Sequence, residues 1–243
     1  MTNIVDYDEV VVGAGFAGLA LIHHLKKTGI SVKVLDKASE IGGTWTWNRY
    51  PGAATDSEGY YYCLTFSKEI LQEWTWSERY PGWEETNRYL NFVADKCDMW
   101  PHIQLNTEVK SAEFIKDDGL WRVKTGTGEE IICKYFISAM GMISQPVIPK
   151  YNGMSNYKGP CFHSSRWPQE GLEYEGKKVG IVGCGASTVQ MLPIMAQTAE
   201  SVTVFQRTPN FVSAVSYTHI RAQETLLDLV CRLLLEKKKG RGG

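Results

Sequence analysis

Gly13, Gly15 and Gly18 follow the apolar run "VVV" and precede "FAGLALIHHL", so three glycines at Gly-x-Gly-x-x-Gly spacing join a strand pattern to a helix pattern. Gly13 permits a tight turn, Gly15 lets a pyrophosphate approach the backbone, and Gly18 lets the helix pack close to its strand. Phosphates then meet the positive end of that helix. Asp36 ends the next apolar segment, about twenty residues on, where a carboxylate can bind a ribose hydroxyl. The pattern returns at Gly183-x-Gly185-x-x-Thr188, with threonine in the third place and looser helix packing expected there. Its second strand ends on Arg207-Thr208, with no acid. A guanidinium can bind a 2′-phosphate bidentately where a carboxylate would repel it. One turn therefore suits a free ribose and the other a phosphorylated one, which points to FAD first and NADP second. A flavin reduced by NADPH can pass electrons to a disulfide, a quinone or dioxygen.

The elements that must hold these residues can be read from periodicity. "YDEVVVGAGFAGLALIHHLKKTG" predicts a buried strand, the turn, and a helix ending at Gly29, and "SVKVLD" closes a β-α-β unit. Residues 40–66 read as a loop rich in glycine, proline and aromatics. Leu90, Val93, Ala94 and Cys97 recur at helical spacing between Glu84 and Trp100. Alternating strands follow, with Asp118-Gly119 as a hairpin signal. "SQPVIPKYNG" is a linker, and "KKVGIVGCGAS" to "SVTVFQR" is a second β-α-β unit. The fold class expected is α/β: a Rossmann-like FAD domain with a β-meander, followed by a partial Rossmann-like NADP domain.

Whole-chain properties narrow the function. A net charge of −1 over 243 residues gives no basic field for nucleic acid or anionic membrane. The six cysteines form no Cys-x-x-Cys pair, which argues against a metal site or a disulfide reductase. "DEVVVGAG" begins almost at once, with no basic-then-apolar leader, and no apolar run is long enough to span a bilayer. A cytoplasmic location is the default expectation.

"GGTWTWNRYPGAATD", Gly42 to Asp56, resembles the Baeyer–Villiger monooxygenase pattern of Gly-Gly-x-Trp, four residues, Tyr-Pro-Gly, three residues and Asp. Tyr157, Gly159, His163, Trp167 and Pro168 match the linker signature of the same family, and "FQRTPN" its NADP-phosphate segment. The resemblance covers about Tyr7 to Phe211. Flavin-containing monooxygenases that oxidise nitrogen or sulfur share the two glycine turns and are the nearest alternative, and a non-catalytic nucleotide-binding fragment is another. The resemblance implies that NADPH reduces FAD and that the reduced flavin activates dioxygen. One oxygen atom then enters beside a ketone carbonyl to give an ester or lactone. It also implies that Gly13, Gly15, Gly18 and Asp36 hold the FAD diphosphate and ribose, with Gly43, Thr44 and Trp45 along the flavin. Asp56 would orient the family's catalytic arginine, which lies downstream of Arg207 and outside this chain. Gly183, Gly185, Ser187, Thr188, Arg207 and Thr208 would hold NADP.

His163 is a candidate catalytic base, since imidazole titrates near neutral pH. Its place on the connector between the two glycine units favours a hinge role instead. The domains expected are 1–148 for FAD, 149–176 as linker, 177–213 as the truncated start of the NADP domain, and 214–243 as a non-native tail. That tail, "VSYTHIRAQETLLDLVCRLLLEKKKGRGG", resembles the translation of a transposon-end sequencing adapter. The native sequence is therefore expected to stop near Ala214, with a tail that does not pack.

Overall fold

A computed structural model of the protein describes residues 4–209. The tail resembling adapter sequence lies outside the described residues. The described residues fall into two compact units, one formed by those up to Arg49 and by Ala54–Arg166, the other by Tyr50–Ala53 and the described residues from Trp167 on.

The first unit is built on β1 (Tyr7–Val12), whose Val10 and Val11 are buried between neighbours on both sides. It pairs in parallel with β2 (Val32–Leu35) and β6 (Glu130–Ser138). A short β3 (Ile103–Gln104) extends the sheet beyond β2. β4 (Val109–Ile115) and β5 (Leu120–Thr125) form an antiparallel meander with β6. The sheet order is β3-β2-β1-β6-β5-β4, so β6 serves the parallel sheet and the meander at once. Gly119, at φ +68°, makes the β4–β5 turn expected from Asp118-Gly119.

Helix α1 (Phe16–Lys26) buries Gly18, Leu19 and Ile22. It ends on His23, His24 and Lys26, basic groups that suit the negative end of a helix, and Gly29 follows at φ +75°. Within 40–66, read as loop, the chain forms α2 (Thr44–Trp47) and a single 3₁₀ turn at Gly59–Tyr62. Four residues are too few to show a helical period. The sequence reading also passed over α3 (Lys68–Glu73), six residues whose first turn is capped by the Ser67 hydroxyl accepting from the Ile70 amide. α4 (Trp83–Lys96) buries Tyr89, Leu90, Val93 and Ala94 on one face, and Cys97 caps its end. That face joins α1 and the sheet in one core with Val11, Leu19, Ile22 and Val34. Val10, Leu35, Val123, Ile131 and Cys133 form the other core.

In the second unit, β7 (Lys178–Val182) and β8 (Ser201–Phe205) pair in parallel around α5 (Ala186–Met195). Tyr50–Ala53 clusters here: the Tyr50 hydroxyl donates to Gln190 Oε1 at 2.8 Å. Gly52 has φ +76°, and a Cβ on it would stand 2.5 Å from the Gln190 carbonyl oxygen, so a side chain at this position is excluded twice.

Candidate dinucleotide sites

The first glycine turn is closed by contacts that admit no side chain. A Cβ on Gly13 would lie 2.4 Å from the Ala139 carbonyl oxygen, and one on Gly18 would lie 2.0 Å from the Gly13 carbonyl oxygen. Gly15 differs. Its absent Cβ would stand 3.4 Å from Gly43 Cα, so the two glycines face each other and leave a gap lined by backbone. Gly15 is also the residue before α1, whose first amides are unpaired within the helix. A backbone-lined gap at a helix N-terminus fits a pyrophosphate.

Asp36 lies just past β2 and is 8% exposed. Its Oδ2 accepts from the Ala14 amide at 2.7 Å and its Oδ1 from the Ala38 amide at 2.9 Å. The carboxylate thus fastens the glycine turn to β2, and each oxygen keeps a lone pair for a ribose hydroxyl. This first task was not foreseen from the sequence.

Gly43, Thr44 and Trp45 are brought to the turn by a second set of bonds. The Gly42 amide donates to the Ala14 carbonyl at 3.0 Å. The Ile41 carbonyl accepts from Thr46 Oγ1 and Asn87 Nδ2, each at 2.9 Å. Gly42 at φ +140° and Gly43 at φ +56° then turn the chain into α2. A Cβ on Gly42 would lie 2.4 Å from both Asn87 Nδ2 and Thr46 Oγ1. Trp45, 9% exposed, packs edge-on to Tyr62 at 5.8 Å, and Tyr62 packs edge-on to Phe16 at 5.6 Å. Tyr89 lies 6.2 Å from Phe16, accepts from the Leu64 amide, and is pushed up to about 12 chiefly by burial. Arg49 pairs with Glu40 and lies over the Trp83 ring at 4.9 Å, fixing the far end of α2. Asn87, Thr46 and Arg49 escaped the sequence reading because no motif spacing marks a side chain that supports a loop. Asp56 is exposed past the buried Thr55, whose hydroxyl donates to the Ser57 carbonyl at 2.7 Å.

In the second unit, a Cβ on Gly183 or Gly185 would meet nothing within 4 Å among the described residues. Thr188 replaces the third glycine without a clash. Its Oγ1 donates to the Gly183 carbonyl at 3.1 Å, bonding the group that a Cβ at Gly18 would strike in the first turn. Thr188 is thereby buried and its hydroxyl already committed, while Ser187 is half-buried in the first turn of α5. The Cys184 thiol donates to the Thr208 carbonyl at 3.0 Å, which holds Thr208 beside the turn, and Arg207 is exposed next to it.

His163 opens the 3₁₀ turn Ser164–Arg166. The Ser165 amide donates to His163 Nδ1 at 3.2 Å, and Ser165 Oγ lies 2.9 Å from the same nitrogen. Nδ1 is therefore an acceptor, which puts the proton of the neutral ring on Nε2.

The family described as pyridine nucleotide-disulphide oxidoreductase matches residues 10–226. Acetone monooxygenase (methyl acetate-forming) of Gordonia sp. (strain TY-5) is 43% identical over 204 residues, 84% of this chain and 38% of the relative. A Baeyer–Villiger monooxygenase of Pseudooceanicola batsensis is 41% identical over 214 residues, 88% of this chain and 39% of the relative. The crystal structure of OTEMO in complex with FAD and NADP superimposes with a TM-score of 0.81 at 40% identity, over 86% of this chain and 40% of that one. The chain thus spans about two-fifths of the length of the curated relatives it matches.

Proposed function

Because the chain belongs to the pyridine nucleotide-disulphide oxidoreductase family and its relatives include a methyl acetate-forming acetone monooxygenase and a Baeyer–Villiger monooxygenase, we propose that the whole protein is an FAD- and NADPH-dependent monooxygenase that converts a ketone to an ester or lactone. The observation that carries it is the backbone gap between Gly15 and Gly43, where the loop bearing the Baeyer–Villiger pattern meets the first phosphate turn.

Gly13, Gly15 and Gly18 bind the FAD diphosphate, Asp36 binds its ribose while holding the turn, and Gly43, Thr44 and Trp45 lie along the ring system. Bound FAD supplies electron transfer from NADPH and activation of dioxygen. Gly183, Gly185 and Ser187 bind the NADP diphosphate, Thr188 steadies that turn, and Arg207 with Thr208 receives the 2′-phosphate. Tyr62 packs edge-on to both Phe16 and Trp45 beside α2. Asp56, exposed in this chain, orients a basic group supplied by the rest of the protein. His163, with Nδ1 committed to Ser165, sets the connector and does not act as a base. The FAD domain is assigned to 1–148, the linker to 149–176 and the start of the NADP domain to 177–213. The location is cytoplasmic, and residues beyond about Ala214 are read-through. No helix among the described residues is long and apolar enough to cross a membrane.

The test is to assay the full-length protein with NADPH, dioxygen and panels of ketones, amines and sulfides. An ester or lactone from at least one ketone is expected. Oxidation of amines or sulfides with no ester from any ketone would move the protein to the nitrogen- and sulfur-oxidising enzymes. Resequencing the source DNA across the codons for Phe211 to Tyr217 checks the tail: unbroken native sequence there refutes read-through.

A further inference from the structure

Between Ser144 and Arg166 the chain is mostly exposed, with Val147 at 82%, Tyr157 at 63% and Phe162 at 47%. Its two ends are nevertheless tied together. Arg166 Nη2 donates to the Ser144 carbonyl at 2.8 Å, and its Nη1 to the Ser165 carbonyl at 2.6 Å. The same guanidinium lies over the Trp47 ring at 4.9 Å, at the last position of α2. Lys37, the neighbour of Asp36, sits over that ring at 5.4 Å. Trp47 thus collects one cation from the end of β2 and one from the end of the connector, and it belongs to the helix that follows Gly43. Arg166 is also the last residue of the first unit.

From this we propose that Arg166 is a positioning residue: through Trp47 it latches both ends of the connector 145–165 onto α2, so that the connector and the cofactor-facing helix are held as one piece. A planar group is needed for this. The guanidinium can stack on an indole while its edge donates to two carbonyls, whereas an ammonium has three donors on one atom and no planar face to stack while it donates. Only the kinetic part of the test below depends on the proposed oxygenase function.

The first measurement uses this 243-residue chain and chymotrypsin, which cuts at the exposed Tyr151, Tyr157 and Phe162 of the connector. Arg166→Gln and Trp47→Leu should each speed cleavage at these sites about fivefold, and the double variant should be no faster than the faster single one. Arg166→Lys should fall between wild type and Arg166→Gln. Far-UV circular dichroism should be unchanged, and cleavage elsewhere should keep its rate. Unchanged connector cleavage in Arg166→Gln, or rates that multiply in the double variant, overturns the latch. Should Trp47→Leu fail to fold, the Gln and Lys variants at 166 still decide it.

The second measurement uses the full-length protein. Arg166→Gln should lower product formed per NADPH consumed by about threefold, with the KM for NADPH unchanged and partial recovery in Arg166→Lys. A rise in that KM equal to the loss of coupling would make Arg166 a binding residue and sink the positioning role. Wild-type protein that makes no ester would overturn the proposed function, while the digestion result would still decide the latch.

Discussion

Arg207 stands just past β8 in the second unit where Asp36 stands just past β2 in the first, and the two side chains meet opposite demands. Asp36 is buried and bonded to backbone amides, whereas Arg207 is exposed. At the proposed phosphate site, Arg207→Ala should remove a charge-assisted contact of about 1.5–3 kcal/mol. In the full-length protein it should raise the KM for NADPH at least tenfold and leave NADH nearly unaffected. Equal losses with both cofactors would remove Arg207 from the phosphate site. Glu9 offers a test of stability. It is 4% exposed on β1, its Oε1 has no hydrogen-bond partner among the described residues, and burial raises its carboxyl above the usual range. The native state then holds this proton more tightly than the unfolded chain. Its contribution is fully present below the ordinary carboxylate range and is lost as pH rises through the native value. Glu9→Gln should therefore stabilise the chain by about 1 kcal/mol at about pH 8 and by less at about pH 4, read by urea denaturation. No gain at the higher pH would show that a partner satisfies Glu9.

Among the elements, the two glycine turns show how far a spacing rule reaches. Strand, turn and helix were readable at both because the glycines keep a fixed spacing between an apolar strand run and a helical one. The third position of the second turn was expected to pack more loosely, and there the Thr188 hydroxyl donates to the Gly183 carbonyl. Gly18→Ala should abolish FAD binding or folding, because its Cβ would stand 2.0 Å from the Gly13 carbonyl oxygen. Thr188→Ala should cost only about 1 kcal/mol, the value of one hydrogen bond. Thermal melts of both variants compare them directly, and equal losses would show that the turns share one packing. α2 and α3 went unread because helices of four and six residues are set by caps and tertiary bonds, and these leave no period in the sequence. The same holds for the supports of the site. Asn87 reaches the Ile41 carbonyl across 46 positions, a distance no local pattern can encode. On the connector, His163→Ala should slow flavin reduction while FAD content stays normal, because the ring caps the Ser164–Arg166 turn. Loss of oxygenation alone, with reduction intact, would give His163 a chemical role.

For the whole molecule, the proposed FAD site falls within one compact unit, so its occupancy can be read on that unit. Adding FAD should bring flavin absorbance to the purified chain and raise the melting temperature of the first unit. At a ligand concentration of about 100 Kd the stabilisation is about 2.7 kcal/mol. Scanning calorimetry with and without FAD measures it, and absence of both effects would mean that the first turn does not hold FAD in this chain. β6 gives the assembly a clock. It pairs with β1 in register Tyr7↔Cys133 and with β5 through Trp121↔Cys133, and Gly13 packs against Ala139 just beyond it. The Asp6–Ile132 bond that accompanies this pairing joins residues 126 positions apart. On a ribosome adding about 5–20 residues per second, β1 must wait roughly 6–25 s before β6 has been made. During that interval the β1 edge and the unfinished phosphate turn are open to other strands. Nascent chains stalled before Ser138 should therefore recruit chaperones, and those stalled after β6 has cleared the exit tunnel should release them.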